Sequence, residues 1–237
     1  YYHRIGIYDG DTLQCTVDAE GKVHQPLNPD RITSWEACGV TDDFVWTNED
    51  LKTFQGVYQG NHHVISGALF CGSSAGLISS LEGAVVNLRM EHCASIAKTL
   101  CQAIVVGESS GTVSNCSVSD SIVVSADTNA YTGAIVGLAK LNSVISYNTS
   151  ENNRIMNDGN AAGGIVGQSD VSVRDCLVNG GDVSGEESTG GIVGTVTNSA
   201  EGICIHGCQS SANISGKYHI GAVSYTHLRA HETSAHL

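Results

Sequence analysis

The feature that most constrains this chain is that it copies itself. Gly133-Ala134-Ile135-Val136-Gly137, Gly163-Gly164-Ile165-Val166-Gly167 and Gly190-Gly191-Ile192-Val193-Gly194 are near-identical. Ala103-Ile104-Val105-Val106-Gly107 is a degenerate earlier copy, Gly76-Leu77-Ile78-Ser79-Ser80 has lost the final glycine, and Gly221-Ala222-Val223 opens a later copy. The first glycine falls at 133, 163, 190 and 221, in steps of 30, 27 and 31 residues. A period of this length marks a fold built from stacked equivalent units rather than one closed core.

Two further signals run in phase with the glycine block. An apolar residue and a Cys or Tyr three positions on recur as Val113 and Cys116, Val144 and Tyr147, Val173 and Cys176, and Ile205 and Cys208. A third apolar spot follows at Ile122, Ile155, Val183 and Ile214. Each period therefore holds three short β-branched segments separated by Ser, Asn, Asp and Gly, which is strand and turn chemistry. No 3.6-residue period crosses the units, Leu is too sparse for leucine-rich repeats, and the period is too short for a propeller blade. The expectation is an all-β parallel β-solenoid, a right-handed β-helix with three short strands per coil, stacked about 4.8 Å apart. Five or six coils would make a rod of roughly 25–30 Å. The 28 Gly are expected at sharp corners needing positive φ, and the scarcity of Pro, only 2, fits strands that must all donate to a neighbouring coil.

The repeat does not fill the chain. Residues 1–56 carry ten acids against four bases, both Trp and both Pro, and no repeat signature. They read as an N-terminal cap, with a short helix expected to open at Thr47 or Asn48, because a solenoid needs its first edge covered. Residues 57–223 form the repeat region. Residues 224–237 break the repeat inside its next copy; Ser224 to Thr233 resembles a translated sequencing adapter and is expected to be non-native, and a first residue other than Met points to a fragment.

The glycine blocks, each followed by a V-x-x-C/Y strand and by a strand such as Asp182-Val183-Ser184-Gly185 or Asn213-Ile214-Ser215-Gly216, resemble the GLUG-motif repeats of bacterial surface proteins. Val57-Tyr58-Gln59-Gly60-Asn61-His62-His63-Val64-Ile65-Ser66-Gly67 is similar to the F-x-G-N-G-H-T-I-S-G coil that commonly precedes them. The resemblance covers about residues 57–223. It implies a non-catalytic β-helical region of a large secreted or wall-attached protein, adhesin-like, or a region of an immunoglobulin A peptidase. It implies an extracellular or cell-surface location, a larger parent chain, and surface glycan or protein as partner. No catalytic, cofactor-binding or metal residue transfers, because the repeat carries none.

Composition bears on partners. With 11 Lys and Arg against 24 acids, a net charge of −13, the chain has no electrostatic footprint for nucleic acid. No apolar run is long enough for a membrane-spanning helix. The nine Cys are an odd number without paired C-x-x-C spacing, so neither a compact disulfide framework nor a zinc ribbon is indicated.

Each local motif has a plainer reading. His231-Glu232-Thr233-Ser234-Ala235-His236 spaces its histidines by five, which turns the second imidazole off the face that zinc ligation needs; His227 and His231 have the right spacing but no third ligand nearby. Gly72-Ser73-Ser74-Ala75-Gly76 matches a nucleophile elbow without its strand, helix or later triad partners. Cys204-Ile205-His206-Gly207-Cys208 invites a metal reading, but Cys116, Tyr147, Cys176 and Cys208 are expected to fill one inward column. A Cys15–Cys38 disulfide across the cap is open. Asp9-Gly10-Asp11, Asp42-Asp43 and Asn157-Asp158-Gly159-Asn160 offer calcium-type oxygens, and turn chemistry explains them equally. Of His62 and His63, alternation puts one inside the first coil and one outside. The alternative to a non-catalytic module is a glycan-active β-helix enzyme, which would need acids such as Asp175 and Glu201 paired on an outer face.

Overall fold

The computed structural model describes the backbone of residues 4–9, 12–17, 34–38 and 45–46, and residues 53–61, 63–72, 75–97, 99–125, 127–197 and 203–226; side chains at 71, 72, 97, 225 and 226 are not described. Among these residues the protein is all-β, with no helix. From Val57 onward the chain coils about five times, laying down five parallel ladders.

Ladder I stacks Val57–Gln59, Ala84–Val86, Thr112–Ser114, Val144–Ser146, Val173–Arg174 and Ile205–His206. Ladder II stacks Val64–Ser66, Arg89–Glu91, Ser117–Ser119, Thr149–Glu151, Leu177–Asn179 and Gln209–Ser210. Ladder III runs from Val45–Trp46 through Leu69–Gly72, Ala94–Ala97, Ile122–Ser125, Arg154–Asn157 and Asp182–Gly185 to Asn213–Gly216. Ladder IV begins a coil later, at Cys101–Gln102, and continues through Tyr131–Gly133, Ala161–Gly163, Ser188–Gly190 and His219–Gly221. Ladder V stacks Ile78–Leu81, Val106–Ser109, Val136–Ala139, Val166–Ser169, Val193–Val196 and Ser224–Thr226.

The solenoid is therefore as expected, but each coil carries five short strands rather than three. The glycine block supplies two of them, because its leading glycine ends a ladder IV strand and its valine begins a ladder V strand. Ladder II, with Ser-Val-Ser, Thr-Ser-Glu and Leu-Val-Asn strands, buries only its central residue and so leaves little apolar trace.

The glycine blocks stack as read, Gly133 on Gly163 on Gly190 on Gly221. Their glycines are needed for close approach more than for positive φ. A Cβ on Gly163 would lie 1.9 Å from the Val166 carbonyl oxygen, and one on Gly167 would lie 2.3 Å from the Thr132 nitrogen of the preceding coil. Inside, Ile104, Ile135, Ile165 and Ile192 superpose, and the valines of ladders I, II and III fill the remaining bore.

The N-terminal segment forms a three-stranded antiparallel sheet, β1 (Arg4–Asp9) flanked by β2 (Thr12–Val17) and β3 (Ser34–Cys38), while β4 (Val45–Trp46) already pairs with the solenoid at Leu69–Phe70. Residues 47–50, where a helix start is expected, lie outside the described residues. At the other end, Ser224–Thr226 still extends ladder V, with a register slip. The boundary read at 223 falls immediately before this strand; residues 227–237 lie outside the described residues.

Candidate functional site

Between ladders I and II the five coils after the first turn through a single residue with left-handed backbone: Asn87 (φ 55°), Asn115 (53°), Tyr147 (56°), Asp175 (52°) and Gly207 (66°). The turn from II to III uses Gly67, His92, Asp120 and Asn152 singly, and Gly180 with Gly181 as a pair. Asn, Asp and Gly enter this region at least cost, since short polar side chains bond locally and Gly has no Cβ. Tyr147 is the departure, a bulky aromatic with 59% of its surface exposed.

The corner residues interact up the axis. Asn115 Nδ2 donates to Asn87 Oδ1 at 2.5 Å, and Asn87 Nδ2 donates to Gln59 Oε1 at 3.1 Å. The amide ladder ends where Tyr147 follows. Two shallow grooves open beside the Tyr147 ring. One, toward ladder II, is lined by Asn87, Arg89, Asn115, Ser117 and Thr149; the other, on ladder I, by Val144, Ser146, Ser172, Arg174 and Asp175.

This geometry corrects the expected inward column. Ladder I pairs Val113 with Ile145 and Ile145 with Val173, so Val144 is one residue out of phase and points outward, 50% exposed. Tyr147 consequently sits on the corner, and Asn148 takes the inward place between Cys116 and Cys176. The same slip applies to the third apolar spot, where Val123, not Ile122, stacks on Ile155, Val183 and Ile214. Asn148 is fully buried and satisfied: its Oδ1 accepts from the Cys116 N–H at 3.0 Å and its Nδ2 donates to the Val113 carbonyl at 3.0 Å. Asn153, inside the next corner, repeats the device on the Ser121 N–H (2.9 Å) and the Val118 carbonyl (2.8 Å). Sequence reasoning missed both; the signal was a polar residue directly after each left-handed corner residue.

Cys116, Cys176 and Cys208 do share the inward column, and six described cysteines are free thiols. Burial pushes Cys93 and Cys101 up to about 12 and Cys116 up to about 11. The last pair differs. The Cys176 N–H donates to Cys208 Sγ at 3.4 Å, and Cys208 is only half-buried. The Cys176 thiol and N–H beside Cys208 Sγ draw that thiol down to about 7, while Cys176, buried against it, is pushed up; the Cys176 thiol itself donates to the Arg174 carbonyl at 3.2 Å.

The Cys204–Cys208 segment is divided by the Gly207 corner: Cys204 and His206, on either side of Ile205, face out, while Cys208, past the turn, faces the column. Among the described residues no three His, Cys, Asp or Glu converge as a metal site. Asn157 is occupied as a turn cap, with Nδ2 donating to the Ala130 and Ala161 carbonyls and Oδ1 accepting from Gly159 N–H. Cys15 and Cys38 belong to β2 and β3, opposite Ile7 and Arg4 respectively, with β1 between them. Two strand spacings are about 9.6 Å, beyond disulfide reach. His63 is exposed. His62, Ser73, Ser74, Asp11, Asp42, Asp43, Glu201, His227, His231, Glu232 and His236 lie outside the described residues.

The chain gave no match to any known protein family, curated protein or solved structure. What the corner offers chemically is thus read from its own groups: an aromatic face, a guanidinium, a carboxylate and amides, presented in a row along the axis.

Proposed function

We propose that this chain is a non-catalytic β-helical module of a larger bacterial extracellular or cell-surface protein, acting as a stalk or an adhesive surface. The observation that carries the reading is the in-register stack of five ladders from coil to coil, which repeats outward-facing side chains at a fixed axial interval. Such a surface suits repeated weak contacts with surface glycan or protein. The GLUG-like blocks support the same reading. No helix among the described residues is long and apolar enough to cross a membrane, so attachment would fall to other parts of the parent protein.

The test is accessibility on the source cell. An antibody raised against residues 57–223 should label intact cells, and a protease added outside should remove the label. Labelling that appears only after lysis overturns the proposal. Release of reducing sugar from polysaccharide by the purified chain, lost in Asp175→Asn, would favour a glycan-active enzyme instead.

A further inference from the structure

We propose that Tyr147, with the grooves on either side of it, is a binding subsite for a linear neutral saccharide, the tyrosine ring serving as the stacking platform. The inference rests on the adhesive form of the reading above and gives it a location and a ligand class.

The first observation is conformational. A bulky side chain in the left-handed region costs on the order of 1–2 kcal/mol, and the in-phase residues Asn87, Asn115, Asp175 and Gly207 show what the corner requires for folding alone. Tyr147 replaces an amide that would continue the Asn87–Asn115 ladder, and 59% of its surface remains in solvent. Neither core packing nor the turn explains it. Strain of this sort, held by a well-determined scaffold, marks positions serving something other than stability.

The second observation is the setting of the ring. Arg89 and Asn115 line the groove on one side, and Val144, Arg174 and Asp175 line the groove on the other. A sugar ring presents apolar C–H faces and hydroxyl rims. The tyrosine face and Val144 match the first, while guanidinium donors, a carboxylate acceptor and an amide match the second. The charges of Arg174 and Asp175 offset one another, which favours a neutral chain over a uronic acid polymer. A net charge of −13 disfavours a nucleic acid strand.

The third is spacing. Asn87, Asn115, Tyr147 and Asp175 occupy successive coils about 4.8 Å apart, close to the advance per sugar in an extended β-1,4-linked chain. An oligosaccharide lying along the axis would keep one unit per coil.

The experiment titrates the 237-residue chain with β-1,4-linked oligomers of glucose and of N-acetylglucosamine, two to six units long, by calorimetry and saturation-transfer NMR. Saturable binding that strengthens up to about four units is expected, with transfer to the sugar from tyrosine ring protons. Tyr147→Asn installs the corner's own residue type, so it should melt no lower than the parent yet bind at least tenfold more weakly. Tyr147→Phe should stay within about threefold, and Arg174→Gln, an exposed change, should weaken binding with no change in melting. Absence of binding by every oligomer, or equal binding by the parent and Tyr147→Asn, overturns the proposal. Cells labelled by antibody beside a blank titration would remove the subsite and leave the surface module; binding by a chain labelled only after lysis would do the reverse.

Discussion

The edge between ladders IV and V and the corner between ladders I and II solve one problem, turning the chain while keeping register, by opposite means. At the IV–V edge the backbone approaches so closely from Gly133 onward that a Cβ would collide with it, and the residues are nearly the same from coil to coil; in the earlier coils Ala103 and Ser79 stand in register with Gly133 and Gly107. At the I–II corner the requirement is a single left-handed residue, met by Asn, Tyr, Asp or Gly. The first edge is constrained by space and admits only small residues. The second is constrained by conformation and leaves the side chain free for solvent, which is why the one strained aromatic sits there.

The largest expected effect breaks the glycine edge. Gly163→Ala places a methyl 1.9 Å from the Val166 carbonyl oxygen of its own coil and 2.6 Å from the Gly194 nitrogen of the next, contacts that only a shift of the backbone can relieve. A loss of more than about 3 kcal/mol in urea unfolding, or failure to fold, is expected. Gly67→Ala on the II–III corner meets nothing within 4 Å and suffers only from its φ of +75°, so about 1 kcal/mol is expected. Equal losses would mean that the two edges are not constrained differently.

Next comes the inner side of the corner. Asn148→Ala leaves the buried Cys116 N–H and Val113 carbonyl without their partner, and should cost about 2–4 kcal/mol. Asn148→Cys, which restores the column's usual residue, should recover part of that. A cost below 1 kcal/mol for the alanine variant would show that the coil relaxes to pair those groups another way. In the opposite direction, Thr132 Oγ1 is buried without a hydrogen-bond partner. Thr132→Val should therefore stabilise by about 1 kcal/mol in the same urea experiment.

The contrast also explains what the sequence revealed. The solenoid, its period and the glycine stack were legible because close approach admits only small residues, so the copies look alike. The I–II corner was not, because insertions vary the step along ladder I from 28 residues, between Ala84 and Thr112, to 32, between Thr112 and Val144. The extra residues lie where Leu138–Ala139 leads through Asn142 to Val144, and around Asp127 to Ala130. Apolar matching across them chose Val144 over Ile145 and Ile122 over Val123, and so placed Tyr147 inside. Phase counted from the left-handed residue, Asn87 to Asn115 to Tyr147 to Asp175, would have been right throughout. Five strands looked like three because ladder II buries one side chain per coil and ladders IV and V share one motif.

The smallest expected effect is chemical and compares two members of one column. Cys116 and Cys208 hold equivalent inward places two and five coils along, yet burial pushes Cys116 up to about 11 while the Cys176 thiol and N–H beside it draw Cys208 down to about 7. Only a thiolate alkylates readily, so in a Cys204→Ser background the rate of iodoacetamide labelling at Cys208 should rise sigmoidally through about pH 7 and then level off. Cys116 should remain unlabelled in the folded protein over pH 6 to 9. Cys176→Ala removes the neighbouring thiol and should carry the Cys208 midpoint upward toward its ordinary value of 9.0, with a slower rate at pH 7 as the direct reading. Labelling that increases steadily to pH 9 in the parent, unchanged by Cys176→Ala, would mean that the Cys176 thiol does not act on Cys208 and that the last coil packs like the others.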